Sequence, residues 1–427
     1  MILFSKGSAE TEFTRADLRD ALVSSLEQIG DRRRVVAVPP DFTRYHSRSG
    51  LLTQLIWEYY GERLTDILPA TGTHVPMTGK EIKTMFGRVP ESLFRIHDWK
   101  HGTTMLGEVP AGYVREVGGG IVDFSVPVEV DKLLTDGSHE LILSIGQVVP
   151  HEAIGMAGYN KNIFVGAGGA ETINRSHFLG AAYGMERMMG RTDTPVRRIL
   201  NYASRHCASH LPIIYILTVV GKNNRGNPVI RGLYIGDDEE CFNRAAALSF
   251  EVNIELLDRP IQKAVVYLDP SEFKSTWLGN KGIYRTRMAM ADDGELVILA
   301  PGLERFGEDP GVDRLIRKYG YGGTPAVLDA VRTQEDLRMS LMTAAHLIHG
   351  SPEGRFRVTY CPGSLSKQEI QGVHYGYADL HTMMEKYNPG GLADGFNTLA
   401  DREEIFYISN PALGLWAERG RFEQSEQ

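Results

Sequence analysis

Apolar residues recur along this chain in two alternating patterns. Between 14 and 30, Leu18, Leu22, Leu26 and Ile29 fall on one helical face, Thr14 and Asp17 are spaced to cap its start, and Gly30 ends it. Val35, Val36, Ala37 and Val38 then form a short continuous apolar run closed by Pro39-Pro40-Asp41, which predicts a buried strand feeding a loop. The cycle repeats as a helix over 51–60, a strand over 66–69, a loop over 70–74 and a helix over 78–86. A further strand over 140–148 leads into a loop that opens Val149-Pro150-His151. Strand, loop and helix in this order predict a parallel α/β sheet whose loops gather at the strand C-termini. Three such loops carry Asp41 with Arg44, His74, and His151.

Residues 211–257 predict two strands and a helix that complete a first domain, 1–260, with Asp258-Arg259-Pro260 as its boundary. KAVVYL at 263–268 opens a second domain, 261–427, with strands over 295–300, 357–361 and 405–409 and helices over 312–319, 323–332 and 333–349. The expected fold is therefore two α/β domains, the first with a mostly parallel sheet carrying the functional loops, and an active site in the interdomain cleft.

Composition narrows the function classes. Of 427 residues, 42% are hydrophobic and 23% charged, which excludes disorder and collagen-like architecture. The net charge is −8 without a basic block, so no nucleic-acid partner is expected. The longest apolar run, 211–220, suits a buried strand, so no membrane association is expected either. The first residues lack a basic segment followed by a long apolar stretch, and a cytoplasmic protein is expected. Cys207, Cys241 and Cys361 lie far apart, which disfavours a disulfide framework and a thiolate metal cage.

Candidate chemistry concentrates between Pro150 and His177, PHEAIGMAGYNKNIFVGAGGAETINRSH, which holds His151, Lys161 and His177 among five glycines. Gly166, Gly168 and Gly169 precede a helix whose N-terminus would favour an anion, although such turns are more often structural. Two histidines on convergent loops, His74 and His151, suit proton transfer at two faces of one substrate, whereas a single loop histidine is more often a satisfied hydrogen-bonder. Lys161 could be a Schiff-base lysine, a carboxylate anchor or an exposed charge.

Four ordered motifs resemble those of the nickel-dependent lactate racemase family. DFTR (Asp41, Phe42, Thr43, Arg44) resembles its D-x-T-R loop, and TGTH, ending on His74, resembles its G-[ST]-H loop. PHEAIGMAGYNK resembles its P-H-x-x-A-G-F-S-G-G-x-K segment, and His177 matches its nickel ligand. The F-S-G-G of that pattern reads Met156-Ala157-Gly158-Tyr159 here, with Asn160 before the lysine. The resemblance implies a nickel-pincer nucleotide (nickel with a pyridinium bis-thiocarboxylate mononucleotide) that can be joined to Lys161, loaded with the help of cofactor-synthesis enzymes. His74 and His151 would be the two acid/bases and His177 the metal ligand. Asp41, Thr43, Arg44 and the glycines 166, 168 and 169 would contact the cofactor, with Arg44 equally suited to the substrate carboxylate. The implied reaction inverts Cα of a 2-hydroxy acid by reversible hydride transfer to the cofactor, through a 2-keto acid.

The family's second-domain substrate pair has no clean match. TWLGNKGIYRTR supplies the nearest candidates, Trp277, Asn280, Lys281 and Arg285, beside the plainer reading of a basic solvated strand. With Arg287, His374, Tyr375 and Tyr377 they offer more polar reach than lactate needs, so the expectation leans to sugar acids, an aldonate 2-epimerase, over a lactate or malate racemase. Other classes stay open: a Schiff-base lyase using Lys161, or a non-catalytic carrier of the nucleotide.

Overall fold

The computed structural model describes residues 1–223 and 225–424. The chain forms two compact units, one made of 1–179 with 189–253, the other of 180–188 with 254–424 among the described residues.

The first unit is built on a six-stranded sheet. Its strands are Ile2–Gly7 (β1), Val35–Val38 (β2), Leu64–Ile67 (β3), Leu141–Gln147 (β4), Ile213–Lys222 (β5) and Pro228–Gly236 (β6). Their spatial order is β1-β6-β5-β4-β2-β3. β5, β4, β2 and β3 run parallel, while β6 and β1 add an antiparallel edge. The helix Arg15–Ile29 (α1) starts on a reciprocal Thr14–Asp17 capping box, as its spacing predicts. Ser49–Tyr60 (α2) and Gly79–Phe86 (α3) follow β2 and β3, so the chain winds as strand, loop, helix. Leu18, Leu22, Leu26, Leu52, Ile56 and Phe86 bury against the sheet residues Val35, Ala37, Leu143 and Ile216 in one core.

β1 is absent from the expected elements, because ILFSKG carries no clear alternation and is a strand only by pairing with β6. β2 lies between β3 and β4, so the chain leaves β2 to one side and returns to the other. The crevice between β2 and β4 is thus the switch point of the sheet, where α/β proteins place ligands beyond the strand C-termini.

The second unit has its own six-stranded sheet of Ile261–Tyr267 (β7), Met290–Ala300 (β8), Arg357–Pro362 (β9), Gly376–Tyr377 (β10), Gly395–Thr398 (β11) and Glu404–Ile408 (β12). The order is β10-β9-β8-β7-β12-β11, parallel throughout except for β11 against β12. Two expectations are corrected. The helix expected over 333–349 is broken into Glu335–Arg338 and Leu341–His349. TWLGNKGIYRTR is no solvated strand: it folds into the helical turns Thr276–Gly279 and Lys281–Tyr284, capped by Ser275, with Asn280, Ile283 and Arg287 buried. Among the described residues, no helix is long and apolar enough to cross a membrane.

Leu22 faces the first core with 2% of its surface exposed. Leu22→Ala should cost about 2–5 kcal/mol of stability, read as a lower urea midpoint with an unchanged slope.

Candidate active site

The loops that follow β2, β3 and β4 do meet. Pro40 bridges Ala70 in parallel, and the Gly72 amide donates to the Gly166 carbonyl at 2.8 Å, which draws the TGTH loop onto the glycine-rich segment. Asn162 bridges the switch-point crevice: its Nδ2 donates to the Val38 carbonyl at the end of β2 (2.8 Å) and to Ser144 Oγ (3.1 Å) on β4. Lys161, one residue earlier, is thereby anchored over the crevice.

His74 and Asp41 form the first functional pair, Nδ1 to Oδ2 at 2.7 Å. Asp41 is almost fully buried, and Thr43 Oγ1 donates to its other oxygen at 2.5 Å. Burial of the Asp41 carboxyl opposes its charge. The hydrogen bonds from His74 and Thr43 and the nearby charge of Arg44 outweigh this, and its pKa lies below the usual value. An ionised Asp41 takes the proton on His74 Nδ1 as a donor, so Nε2 carries the lone pair. Asp41 and Thr43, expected to contact a cofactor, are thus occupied in orienting His74. The Arg44 side chain is exposed and makes no hydrogen bond or ion pair among the described residues, which leaves its guanidinium available to an anion.

His151 has the opposite polarity. Its Nδ1 accepts from the Ala153 amide at 3.2 Å, so the neutral ring carries its proton on Nε2. Burial, aided by the positive charges of Lys161 and Arg44, drives its pKa well below the ordinary histidine value, against the pull of Glu152. His177, on the helix Ala170–Tyr183, lies with its ring 6.1 Å from that of His151. Its Nδ1 donates to the Ile173 carbonyl at 2.9 Å, leaving Nε2 as a lone-pair donor, and burial with the charge of Lys161 lowers its pKa to about 4. Lys161 is itself brought down to about 8, by burial first and by Arg44 next. One unit therefore gathers an imidazole oriented by a carboxylate, two imidazoles that burial holds neutral, and an amine of lowered pKa.

The glycines act differently from the expectation of an anion cradle. A Cβ on Gly168 would stand 1.9 Å from the Phe164 carbonyl oxygen, and one on Gly169 2.3 Å from a Glu129 carboxylate oxygen. The amides of Gly168 and Gly169 donate to the carbonyls of Val165 and Glu129, and the Glu129 carboxylate accepts from the Glu171 amide. The chain's own Glu129 thus closes the helix N-terminus where an anion was expected, and Gly166, Gly168 and Gly169 serve close packing.

The remaining candidates belong to the second unit. Trp277 is half-buried, stacked on His346 with ring centroids 4.4 Å apart. Asn280 is fully buried, its Oδ1 accepting from Tyr360 (2.7 Å) and Tyr375 (3.3 Å). Lys281 lies 4.0 Å from Glu272, and Arg285 donates to the Gly414 carbonyl at 3.3 Å. Arg287 is buried and donates to the Ser351 carbonyl at 2.6 Å. Asn280, Tyr375 and Arg287 are thus committed to internal hydrogen bonds. Residues that hold the site yet escaped the sequence reading are Asn160, Asn162 and Arg197; the asparagines flanking Lys161 were the one local signal.

In the unfolded chain the His177 ring takes a proton near pH 6.5, and in the folded protein only near 4. Between those values the unfolded state binds more protons, so stability falls as pH drops from about 6.5 toward 4. His177→Gln should flatten that part of the stability profile, by up to about 3 kcal/mol, in denaturant titrations across pH.

A family profile described as the lactate racemase N-terminal domain matches residues 9–188. The lactate racemase of Thermoanaerobacterium thermosaccharolyticum is 26% identical over 245 residues, covering 55% of this chain and 51% of that protein. The match thus spans about half the length of that curated relative. Among solved structures, a Thermotoga maritima protein from a structural genomics consortium superposes with a TM-score of 0.80 at 24% identity, covering 96% of this chain and 100% of that one. The T. thermosaccharolyticum lactate racemase apoprotein gives 0.68 at 17%, covering 97% and 94%, so these two likenesses speak for the fold. The matched segment, 9–188, contains every loop that builds the site, and over that segment the chain is similar to the N-terminal domain of lactate racemases.

Proposed function

We propose that this chain is a 2-hydroxy acid racemase or epimerase that works with a nickel-pincer nucleotide and takes sugar acids of the aldonate type. The observation that carries the reaction class is the pair of histidines whose Nδ1 atoms have opposite hydrogen-bond roles, His74 oriented by Asp41 and His151 by the Ala153 amide. Inversion at a carbinol centre needs one group to take the hydroxyl proton in one substrate pose and another to return a proton in the opposite pose. His74, with its lone pair on Nε2, is poised to accept. His151, neutral with its proton on Nε2, can hydrogen-bond the substrate oxygen; it returns a proton only as the imidazolium, after taking one up, and the two histidines exchange roles for the other enantiomer.

The side chains present suit the cofactor. Among the described residues, no three His, Cys, Asp or Glu side chains gather into a metal cage, so a metal here would take most of its ligands from a bound group. His177, neutral and with Nδ1 fixed by Ile173, is a fitting imidazole donor for nickel. Lys161 is the amine able to tether the nucleotide, because half of it is neutral near pH 8. Arg44 offers its guanidinium to a phosphate or to the substrate carboxylate. When bound, such a group supplies a reversible hydride acceptor for the Cα hydrogen, which side chains do not provide. The burial that keeps His151 and His177 neutral also excludes water from the proton transfers.

The sugar-acid preference rests on Trp277, whose indole is half-exposed over His346, and on Lys281 nearby in sequence. A simple 2-hydroxy acid is the competing reading, favoured by the internal commitment of Asn280, Arg287 and Tyr375.

The test is to co-produce the chain with cofactor-synthesis enzymes, measure nickel per chain, and follow Cα inversion from lactate to gluconate in D2O. We expect stoichiometric nickel, inversion of an aldonate and retention of the original Cα hydrogen. Deuterium at Cα would refute hydride transfer, and turnover of lactate alone would refute the sugar-acid preference. Borohydride trapping of a keto acid on Lys161 without nickel would favour a Schiff-base lyase, and tight cofactor binding without turnover a carrier. His74→Gln and His151→Gln should each lower inversion in both directions by on the order of 10²–10⁴, since each direction needs one acid and one base.

A further inference from the structure

The family pattern has a glycine where this chain has Tyr159, and the structure shows what compensates. Tyr159 sits in the left-handed region at φ 57°, a conformation that is strained for a non-glycine residue. Its ring is held between Tyr215, at 4.3 Å, and Phe242, at 5.5 Å and nearly parallel. Beside it lies Arg197, from the helix Pro195–His206, with only 2% of its surface exposed. The Arg197 guanidinium stacks 4.2 Å over Phe242 and pairs with no carboxylate among the described residues.

A buried cation without a counter-ion is costly unless dipoles replace its water. Here the turn before Lys161 supplies them. Arg197 donates to the Met156 carbonyl at 2.7 Å, to the Gly158 carbonyl at 3.4 Å and to Asn160 Oδ1. Asn160, fully buried, returns its Nδ2 to the same helix, to Asn201 Oδ1 at 2.7 Å and Ser204 Oγ at 3.1 Å. The turn 156–160 is therefore wrapped around one guanidinium. On the far side of Lys161, Asn162 is pinned to β2 and β4.

We propose that Arg197 is a positioning residue for Lys161: it folds the turn 156–160 around its guanidinium and so fixes the direction in which the lysine amine enters the site. The proposal rests on the reading of Lys161 as the cofactor-bearing amine. Its planar fork is the reason an arginine is needed: two nitrogens spread its bonds over the Met156, Gly158 and Asn160 oxygens, a span that the three donors of a lysine ammonium, radiating from one nitrogen, do not reproduce. Tyr159, which interrupts the family pattern, and Asn160, at its variable position, are then parts of a local replacement for it.

The test uses the cofactor-free full-length chain and cyanate, a small electrophile that carbamylates neutral amines. Labelling is run at a pH close to the Lys161 pKa of about 8, and peptide mapping gives its rate relative to the exposed Lys80. Wild type should carbamylate Lys161 several-fold faster than Lys80. Arg197→Met and Arg197→Lys should each lower that ratio at least about threefold and move the labelling pH profile of Lys161 toward that of an ordinary lysine near 10.4. Asn160→Ala should do so to a smaller extent. Leu22→Ala, which weakens the same unit through its core, should leave the ratio unchanged. A folded Arg197→Met protein with the wild-type ratio, or full rescue by Arg197→Lys, would overturn the proposal. If Arg197→Met does not fold, an unchanged ratio in Asn160→Ala overturns it instead. Because no cofactor is present, the outcome stands apart from the cofactor reading, which fails separately if loaded wild-type protein carries no mass adduct on Lys161.

Discussion

The site depends on the closure of the crevice between β2 and β4. Parallel strands that wind in opposite directions leave their C-terminal ends parted, with backbone carbonyls that face a gap. Asn162 fills this one, binding Val38 on one side and Ser144 on the other with a single amide. That contact fixes where the segment from Pro150 to Gly169 crosses the sheet. Lys161 comes over the crevice, with His151 ahead of it and the helix carrying His177 behind. Had the amide no partners there, its burial alone would disfavour the arrangement.

Around this anchor the chain balances charge sparingly. Asp41 is buried with two hydrogen-bond donors and is charged; the imidazoles of His151 and His177 are buried and neutral. Burial first, and the positive charge of Lys161 after it, keep both imidazoles so, with Arg44 adding to the effect on His151. The same crowding lowers the Lys161 ammonium. A constellation whose pKa values are pushed apart by burial and neighbours is what acid–base chemistry near neutral pH requires.

Backbone economy is visible as well. The glycines 166, 168 and 169, which as a run suggest an anion cradle, are used to bring Ala70, Phe164 and Glu129 into contact. Glu129 then satisfies amides at the helix start, so the segment needs no external anion to be stable. Arg44, by contrast, keeps its side chain exposed.

Much of this was legible in the sequence. The alternation of apolar runs with 3.6-residue stripes determined the strand–loop–helix winding of the first unit, because buried parallel strands must be apolar throughout and their covering helices only on one face. The order of His74, His151 and Lys161 on loops after strands, followed by His177, determined the candidate chemistry. What only the tertiary structure decided are the relations between distant positions. Asp41 is hydrogen-bonded to His74, Asn280 to Tyr360, β1 is a strand by virtue of β6, and Arg197 reaches back to Asn160. Each is a hydrogen bond between residues that the chain brings together only after folding, and a polar side chain in a sequence carries no mark of whether its partner will be a ligand, water or its own backbone.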